Sequence, residues 1–300
     1  MRITAPGMYP DLDGDVYFDD PCPEPSLRQS LIPRLVKRSP LAAAFRHPRL
    51  NPYGDAGESS KVQYFGSAVH RLALGRGREI AIIRYPDWRS SSARQKRDEA
   101  IRSKRIPILE RDYLRADAAA DIVRGRIEEA AGGHKIVTEV PFFWREPTAA
   151  GPIWAAGMLD VWIPGLLKVL DPKTTTKEAT LDQYERDAAA NGYDFQRAWY
   201  LRGLNRLALE GLAGMTPEDA GRITFENLVI ESDQPHDSAL FELDESSTGP
   251  VDQLCGLAAE RWAQCLAART WPGYPRKTQR AQTPPYHRNA LEGLILENSQ

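Results

Sequence analysis

Two apolar runs, GMLDVWI (157–163) and LLKVLDPK (166–173), are separated by little more than Pro164-Gly165. Pro-Gly between β-branched and aliphatic segments is a turn signal, so the pair predicts an antiparallel hairpin. Residues equidistant from such a turn, to within a position, face one another, and Asp160 and Asp171 are such a pair. Like charges directly opposed in a sheet destabilise it, the more so among Met158, Leu159, Val161, Val169 and Leu170, which predict burial. A divalent cation held between the two carboxylates removes the conflict.

The flanking patterns fit an α/β chain. Val62, Phe65, Val69 and Leu72 recur at helical spacing and predict a helix over 61–75 that ends at Gly75. An Ala-rich helix is predicted over about 110–131, stopping at Gly132-Gly133. KIVTEVPFFW, IWAAGMLDVWI and LLKVLD then read as three strands, and 180–211 as helix. RITFENLVIE and ALFEL read as strands and 246–269 as a last helix. The order α-β-β-β-α-β-β-α predicts a central mixed sheet flanked by helices. A length of 300 residues with 42% hydrophobic content supports one domain over 1–300: an arm (1–60), a core (61–245) and a closing helix and tail (246–300).

Composition narrows the function classes. No run approaches the roughly 18 to 20 apolar residues of a membrane span, and the first residues have no signal-peptide h-region, so no membrane partner is expected. Cys22, Cys255 and Cys265 form neither an even disulfide set nor a CxxC pair. A reducing, cytoplasmic setting is therefore expected. The net charge of -2 conceals a strong asymmetry. Residues 76–115 carry twelve Lys or Arg against six Asp or Glu, whereas the first 25 carry one against six. Such a basic block is either a solvated face or a surface that meets phosphates.

The carboxylate pair points to chemistry. Carboxylates are hard oxygen ligands suited to Mg²⁺ or Mn²⁺, one or two ions, with coordination positions left open for water and phosphate. Lys173 lies two residues beyond Asp171, on the same strand face, where an ammonium can hold an attacking hydroxide or the charge developing at phosphorus. Together these are the parts of phosphodiester hydrolysis. Because the cation is expected to relieve repulsion as well as serve chemistry, Asp160→Asn is expected to leave the metal-free fold intact or slightly more stable. Asp11, Asp13 and Asp15 imitate an EF-hand loop, but Val16 stands where Gly is required and Cys22 where Glu is required.

With these motifs in hand, the chain resembles the PD-(D/E)XK nucleases, and among them the RecE type, or exodeoxyribonuclease VIII-like proteins of phages and prophages. GMLDVW is similar to the family's Gly-x-x-Asp strand and LDPKTT to its Asp-x-Lys-Thr strand, with Asp171 where many members have Glu. NGYDFQRAWY resembles the helix bearing Gln-x-x-x-Tyr, FGSAVHRLAL the early helix bearing a metal-binding His, and WPGY a segment near the C-terminus. The resemblance implies a restriction-endonuclease-like core and a metal site of His70, Asp160 and Asp171. It further implies Gln196 and Tyr200 beside that site, with Glu139 as a weaker member. It also implies a 5'–3' exonuclease acting on double-stranded DNA ends in recombination, a ring-shaped homo-oligomer and a single-strand annealing partner. In the basic segment Arg89, Arg94, Lys96 and Arg97 are expected on phosphates and Trp88 stacked on a frayed base. The alternatives are an endonuclease, a Cas4-like nuclease (three cysteines cannot build its iron-sulfur cluster) and a non-catalytic DNA-binding module of the same fold.

Overall fold

The computed structural model describes residues 2–51 and 61–299. The end of the expected arm, 52–60, lies outside the described residues, as does the side chain of Val62. In chain order the elements are β1 (Gly7–Met8), α1 (Gly14–Phe18), β2 (Leu27–Arg28), α2 (Ile32–Lys37), α3 (Pro40–Ala44), α4 (Lys61–Leu74), β3 (Ile80–Ile83), α5 (Ser91–Arg102) and β4 (Ile106–Leu109). They continue as α6 (Glu110–Ala131), β5 (Val137–Glu146), β6 (Ile153–Ile163), β7 (Lys168–Thr175), α7 (Leu181–Asn191), α8 (Tyr193–Leu209), β8 (Thr224–Glu231), β9 (Ser238–Glu242), α9 (Glu245–Ala268) and α10 (Pro285–Glu297).

The main sheet runs β1-β5-β6-β7-β8-β9, with β2 also paired to β6. Strands β5, β6 and β7 are antiparallel neighbours, β7 and β8 are parallel, and β9 returns antiparallel. The predicted mixed sheet flanked by helices is thus present. A parallel pair needs a long crossover, and α7 with α8 supplies it. The 180–211 pattern read as one helical segment is two helices, because Gly192 at φ 73 leaves the right-handed region between them. In α6, Ala116, Ala119, Ala120, Val123, Ile127 and Ala131 form one buried stripe, and Gly132 closes the helix in a left-handed cap.

Two parts of the chain carry more structure than their composition announced. The N-terminal segment supplies β1 to one edge of the sheet, against Phe142 and Phe143, and β2 alongside Ala155 and Ala156. Leu27, Ile32 and Leu35 are completely buried. In the basic segment, β3 and β4 form a small parallel sheet bridged by α5, which buries only Ala93 and Ala100 and leaves its charges outside. Among the described residues no helix is long and apolar enough to cross a membrane.

Two cores sandwich the sheet. One packs Phe142, Trp144, Trp199, Leu204 and Trp262 between the sheet and α2, α8 and α9. The other packs Val69, Ala116, Val123, Leu170 and Leu228 between the sheet and α4 and α6. The pleat inverts once. On β6, Ala155 and Leu159 face the first core, but so does Trp162, while Val161 and Ile163 face the second. On β5, Val137 and Val140 both contribute to the first core, and Glu139 between them sits at φ 48. A regular strand alternates faces at every residue, so both strands change phase at the rung of Glu139 and Asp160. A left-handed non-glycine residue costs roughly 1–2 kcal/mol.

Helix α8 crosses β5 so closely that a Cβ at Gly203 would lie 2.7 Å from the Trp144 ring and 2.8 Å from Phe142. Gly203→Ala therefore overpacks the core and is expected to lower stability by about 1–3 kcal/mol. Gly125→Ala, at an open position on α6, is expected to raise it by about 0.5–1 kcal/mol. Chemical denaturation midpoints of the two variants, moving in opposite directions, check both statements.

Candidate active site

The ladder between β6 and β7 runs from Ile163↔Lys168 to Val161↔Leu170 and ends there. Asp160 and Asp171 occupy the next rung, where the strands part. The facing pair drawn from turn arithmetic is therefore located correctly, just past the last paired residues. Asp171 remains held on its other side, because β8 pairs with β7 through this stretch and sets Asn227 beside it.

Each of the two carboxylates is reached from a different layer. From α4, His70 brings Nε2 to 3.1 Å from Asp160 Oδ1 and Nδ1 to 3.4 Å from Glu139 Oε1. That helix seats tightly on β7: a Cβ at Gly66 would lie 2.7 Å from Thr174 Oγ1. From α8, Gln196 Nε2 donates to Asp171 Oδ1 at 2.7 Å. Asn227 Nδ2 donates to Asp171 Oδ2 at 3.0 Å, and Lys173 forms an ion pair with that same oxygen while its ammonium lies over the Tyr193 ring. The Asp171 side chain is 1% exposed, against 17% for Asp160 and 20% for Lys173.

Burial and neighbouring charges separate the two acids. Burial, reinforced by Asp160 and opposed by Lys173, pushes the Asp171 carboxyl up to about 6. Burial acts in the same sense on Asp160, but His70 and Lys173 outweigh it and hold that carboxyl below its ordinary value. For His70 burial disfavours the cation, yet Asp160 and Glu139 outweigh it and the imidazole titrates high. Lys173 is likewise raised, burial being overcome by Asp171 and Asp160. Glu139 is pushed up by burial, with Asp160 adding to it.

The expected residues fall into three groups. His70, Glu139, Asp160, Asp171, Lys173 and Gln196 are brought together. Tyr200 lies one turn beyond Gln196 with its ring in the core and its phenol within reach of the charges of Asp160 and Asp171. It is 6% exposed, edge-on to Phe142, and burial raises its phenol well above the ordinary value. The basic segment divides. Arg97 lines the cleft over the carboxylates, whereas Arg89 is 93% exposed beside Asp87, Lys96 lies over Tyr85, and Arg94 is not among the cleft's lining residues. Trp88 is corrected as a stacking platform: it touches the cleft but is 9% exposed, buried against Ile83, Ala93 and Leu109. The small sheet needs an apolar filler, and Trp88 is it.

The cleft has a volume of about 1660 Å³. Its cationic wall comes from Arg71, Arg76, Arg78, Arg102, Lys104 and Arg105, at the end of α4, the following loop and the end of α5. Sequence reasoning located this basic stretch but favoured its aromatic-flanked part. It also missed Asn227 and Tyr184, whose hydroxyl donates to Asn227 Oδ1 at 2.7 Å. The available signal was a lone amide in the apolar strand FENLVI.

Among the described residues, no three His, Cys, Asp or Glu groups form a ready-made cage for a metal ion. The donor chemistry nonetheless fits a hard divalent cation. Asp160 and Asp171 offer oxygens one rung beyond the last β6–β7 pair, and His70, in its neutral form, offers a nitrogen beside Asp160.

No protein-family model matches the chain, and no curated protein does. Among solved structures it is similar to a protein from Eubacterium rectale with a provisional exonuclease assignment. That protein is 13% identical, with 95% of this chain and 96% of that one covered and a TM-score of 0.56. The likeness is one of fold. It extends over nearly the whole of both chains and matches the central mixed sheet with its helical layers. A phage-related exonuclease from Haemophilus somnus also matches, at 11% identity, 82% of this chain, 96% of that one and a TM-score of 0.33.

The two acids are tightly coupled, and burial pushes the Asp171 carboxyl up while His70 and Lys173 hold Asp160 down. A carboxyl raised in the folded state loses stability as pH climbs from its unfolded value, near 4, to about 6. In EDTA, the parent chain is expected to lose melting temperature between about pH 4 and pH 6, and Asp171→Asn is expected to flatten that dependence. Asp160→Asn, which deprives His70 of its partner, is expected to melt lower at about pH 6, below the ordinary imidazole value, with the deficit shrinking as pH rises. Thermal melts across pH read both.

Proposed function

We propose that this chain is a metal-dependent deoxyribonuclease of the PD-(D/E)XK type, hydrolysing the phosphodiester bonds of linear double-stranded DNA from its ends. The single observation that supports this best is the meeting of His70, Asp160 and Lys173, drawn from α4, β6 and β7, in one basic cleft, with Asp171 and Gln196 buried directly beside them. The fold shared with a protein provisionally assigned as an exonuclease agrees with it. The RecE-like order of motifs favours 5'–3' polarity, a role in recombination beside a strand-annealing protein, and a ring-shaped oligomer.

The cleft's arginines hold backbone phosphates, and their charge draws the polyanion towards the carboxylates. Mg²⁺ or Mn²⁺, held by Asp160 and Asp171 with His70 beside them, would supply a Lewis acid and lower the pKa of a bound water. The protein's own groups do the rest. Lys173, kept protonated by Asp171 and Asp160, stands where it can orient the attacking oxygen and offset the negative charge that grows on the phosphoryl oxygens. Gln196 fixes the plane of Asp171 from the α8 side. His70, bridging Asp160 and Glu139, fixes Asp160 from the α4 side. The retention of all these groups weighs against a non-catalytic module.

End-labelled linear duplex, closed circles and single strands incubated with Mg²⁺, Mn²⁺ or EDTA test the reading. Degradation of linear duplex is expected with either metal and none in EDTA. Asp160→Asn and Asp171→Asn are expected to be inactive, and Lys173→Met to lose on the order of 10²–10³-fold in kcat. Activity that survives EDTA, or is unchanged in Asp171→Asn, overturns it. Cleavage of closed circles would make the enzyme an endonuclease, and 5'-phosphorylated against unphosphorylated ends reads polarity.

A further inference from the structure

Asn227 is 1% exposed in a strand whose neighbours are Phe225, Leu228, Val229 and Ile230. It sits opposite Asp171 in the β7–β8 pair, and its amide is held at both ends. Nδ2 donates to Asp171 Oδ2 at 3.0 Å, and Oδ1 accepts from the Tyr184 hydroxyl at 2.7 Å. Turning the amide over would set its carbonyl oxygen against the carboxylate, so only one orientation is stable. Tyr184 is in turn fixed: it is 3% exposed, and its ring stacks on Phe241 with centroids 4.5 Å apart at 10°.

The consequence falls on Asp171. One carboxylate oxygen accepts from Gln196 on α8 and the other from Asn227 on β8, so two neutral donors on separate elements fix the plane of the group. A carboxylate tethered at one oxygen can rotate about its last bond. Tethered at both it cannot, and because the two amides carry no charge they fix the group without adding to the positive charge that Lys173 already places on Oδ2. Groups that orient a ligand in this way commonly alter metal affinity or activity by 10- to 100-fold.

We propose that Asn227, oriented by Tyr184, is a positioning residue that holds the Asp171 carboxylate in the pose that binds a divalent cation. The proposal rests on the nuclease reading, and its test is metal binding and not turnover. Apo protein is titrated with Mn²⁺, and free Mn²⁺ is followed by electron paramagnetic resonance, for the parent chain, Asn227→Leu, Tyr184→Phe and the double variant. Circular dichroism monitors the fold. Asn227→Leu is expected to weaken Mn²⁺ binding about 10-fold or more. Tyr184→Phe, which keeps the ring stack, is expected to weaken it several-fold. The double variant is expected to be no weaker than Asn227→Leu, because the hydroxyl acts through the amide. If Asn227→Leu does not fold, Tyr184→Phe decides alone. Parental Mn²⁺ affinity in the variants, or a Tyr184→Phe effect that persists in full without Asn227, overturns this proposal and leaves the nuclease reading standing. A parent chain that binds no Mn²⁺ removes both.

Discussion

Asp171 is a carboxylate buried to 1% exposure next to a second carboxylate, and much of the surrounding architecture makes that placement tolerable. Isolated charges are not left in protein interiors without partners. Here the partners arrive from three directions. Lys173 comes from the same strand, Gln196 from α8 and Asn227 from β8. The neighbouring Asp160 is stabilised separately, by His70 from α4. Within the hairpin the only cation that partners either acid is Lys173, so the full set of contacts exists only when both helical layers are docked on the sheet.

The sheet gives way at the same point. The β6–β7 ladder stops one rung short of the two aspartates, and β5 and β6 change phase at the rung of Glu139 and Asp160, where Glu139 takes a left-handed conformation. Backbone strain of this sort persists only where its surroundings over-determine it, and it gathers at functional sites. The effect is to open the sheet between β6 and β7, so that Asp160 faces the cleft with Asp171 buried beside it, while the strands on either side remain in the two cores.

The cleft's charge has a related origin. Helix α5 buries two alanines and exposes nearly everything else, and the small β3–β4 sheet holds it beside the main body. Apart from Arg97 within α5, the arginines that line the cleft are those at the ends of elements and in the loop after α4. The aromatic side chains of that region were consumed in building its core, as the burial of Trp88 shows. Aromatic residues among basic ones signal nucleic-acid stacking only when the local fold has no need of them as filler.

The sequence by itself determined the mixed α/β class, the helices ending at Gly75 and Gly132, the hairpin and the meeting of Asp160 with Asp171. All of these follow from local periodicity, turn chemistry and a register counted from one turn. Asp171 and Lys173 were legible for the same reason, being strand neighbours with simple spacing, whereas Gln196 was placed only by the family resemblance. Only the tertiary structure decided how deeply each carboxylate is buried, that Glu139 and His70 share a contact, that the Tyr200 ring packs in the core, and that Asn227 and Tyr184 underlie the site. Those facts depend on burial and on contacts between elements far apart in the chain: α4 with β6, and β8 with β7 across two helices. Local pattern carries no information about what will lie on the other side of a side chain, and the electrostatics of a buried acid are set almost entirely by that.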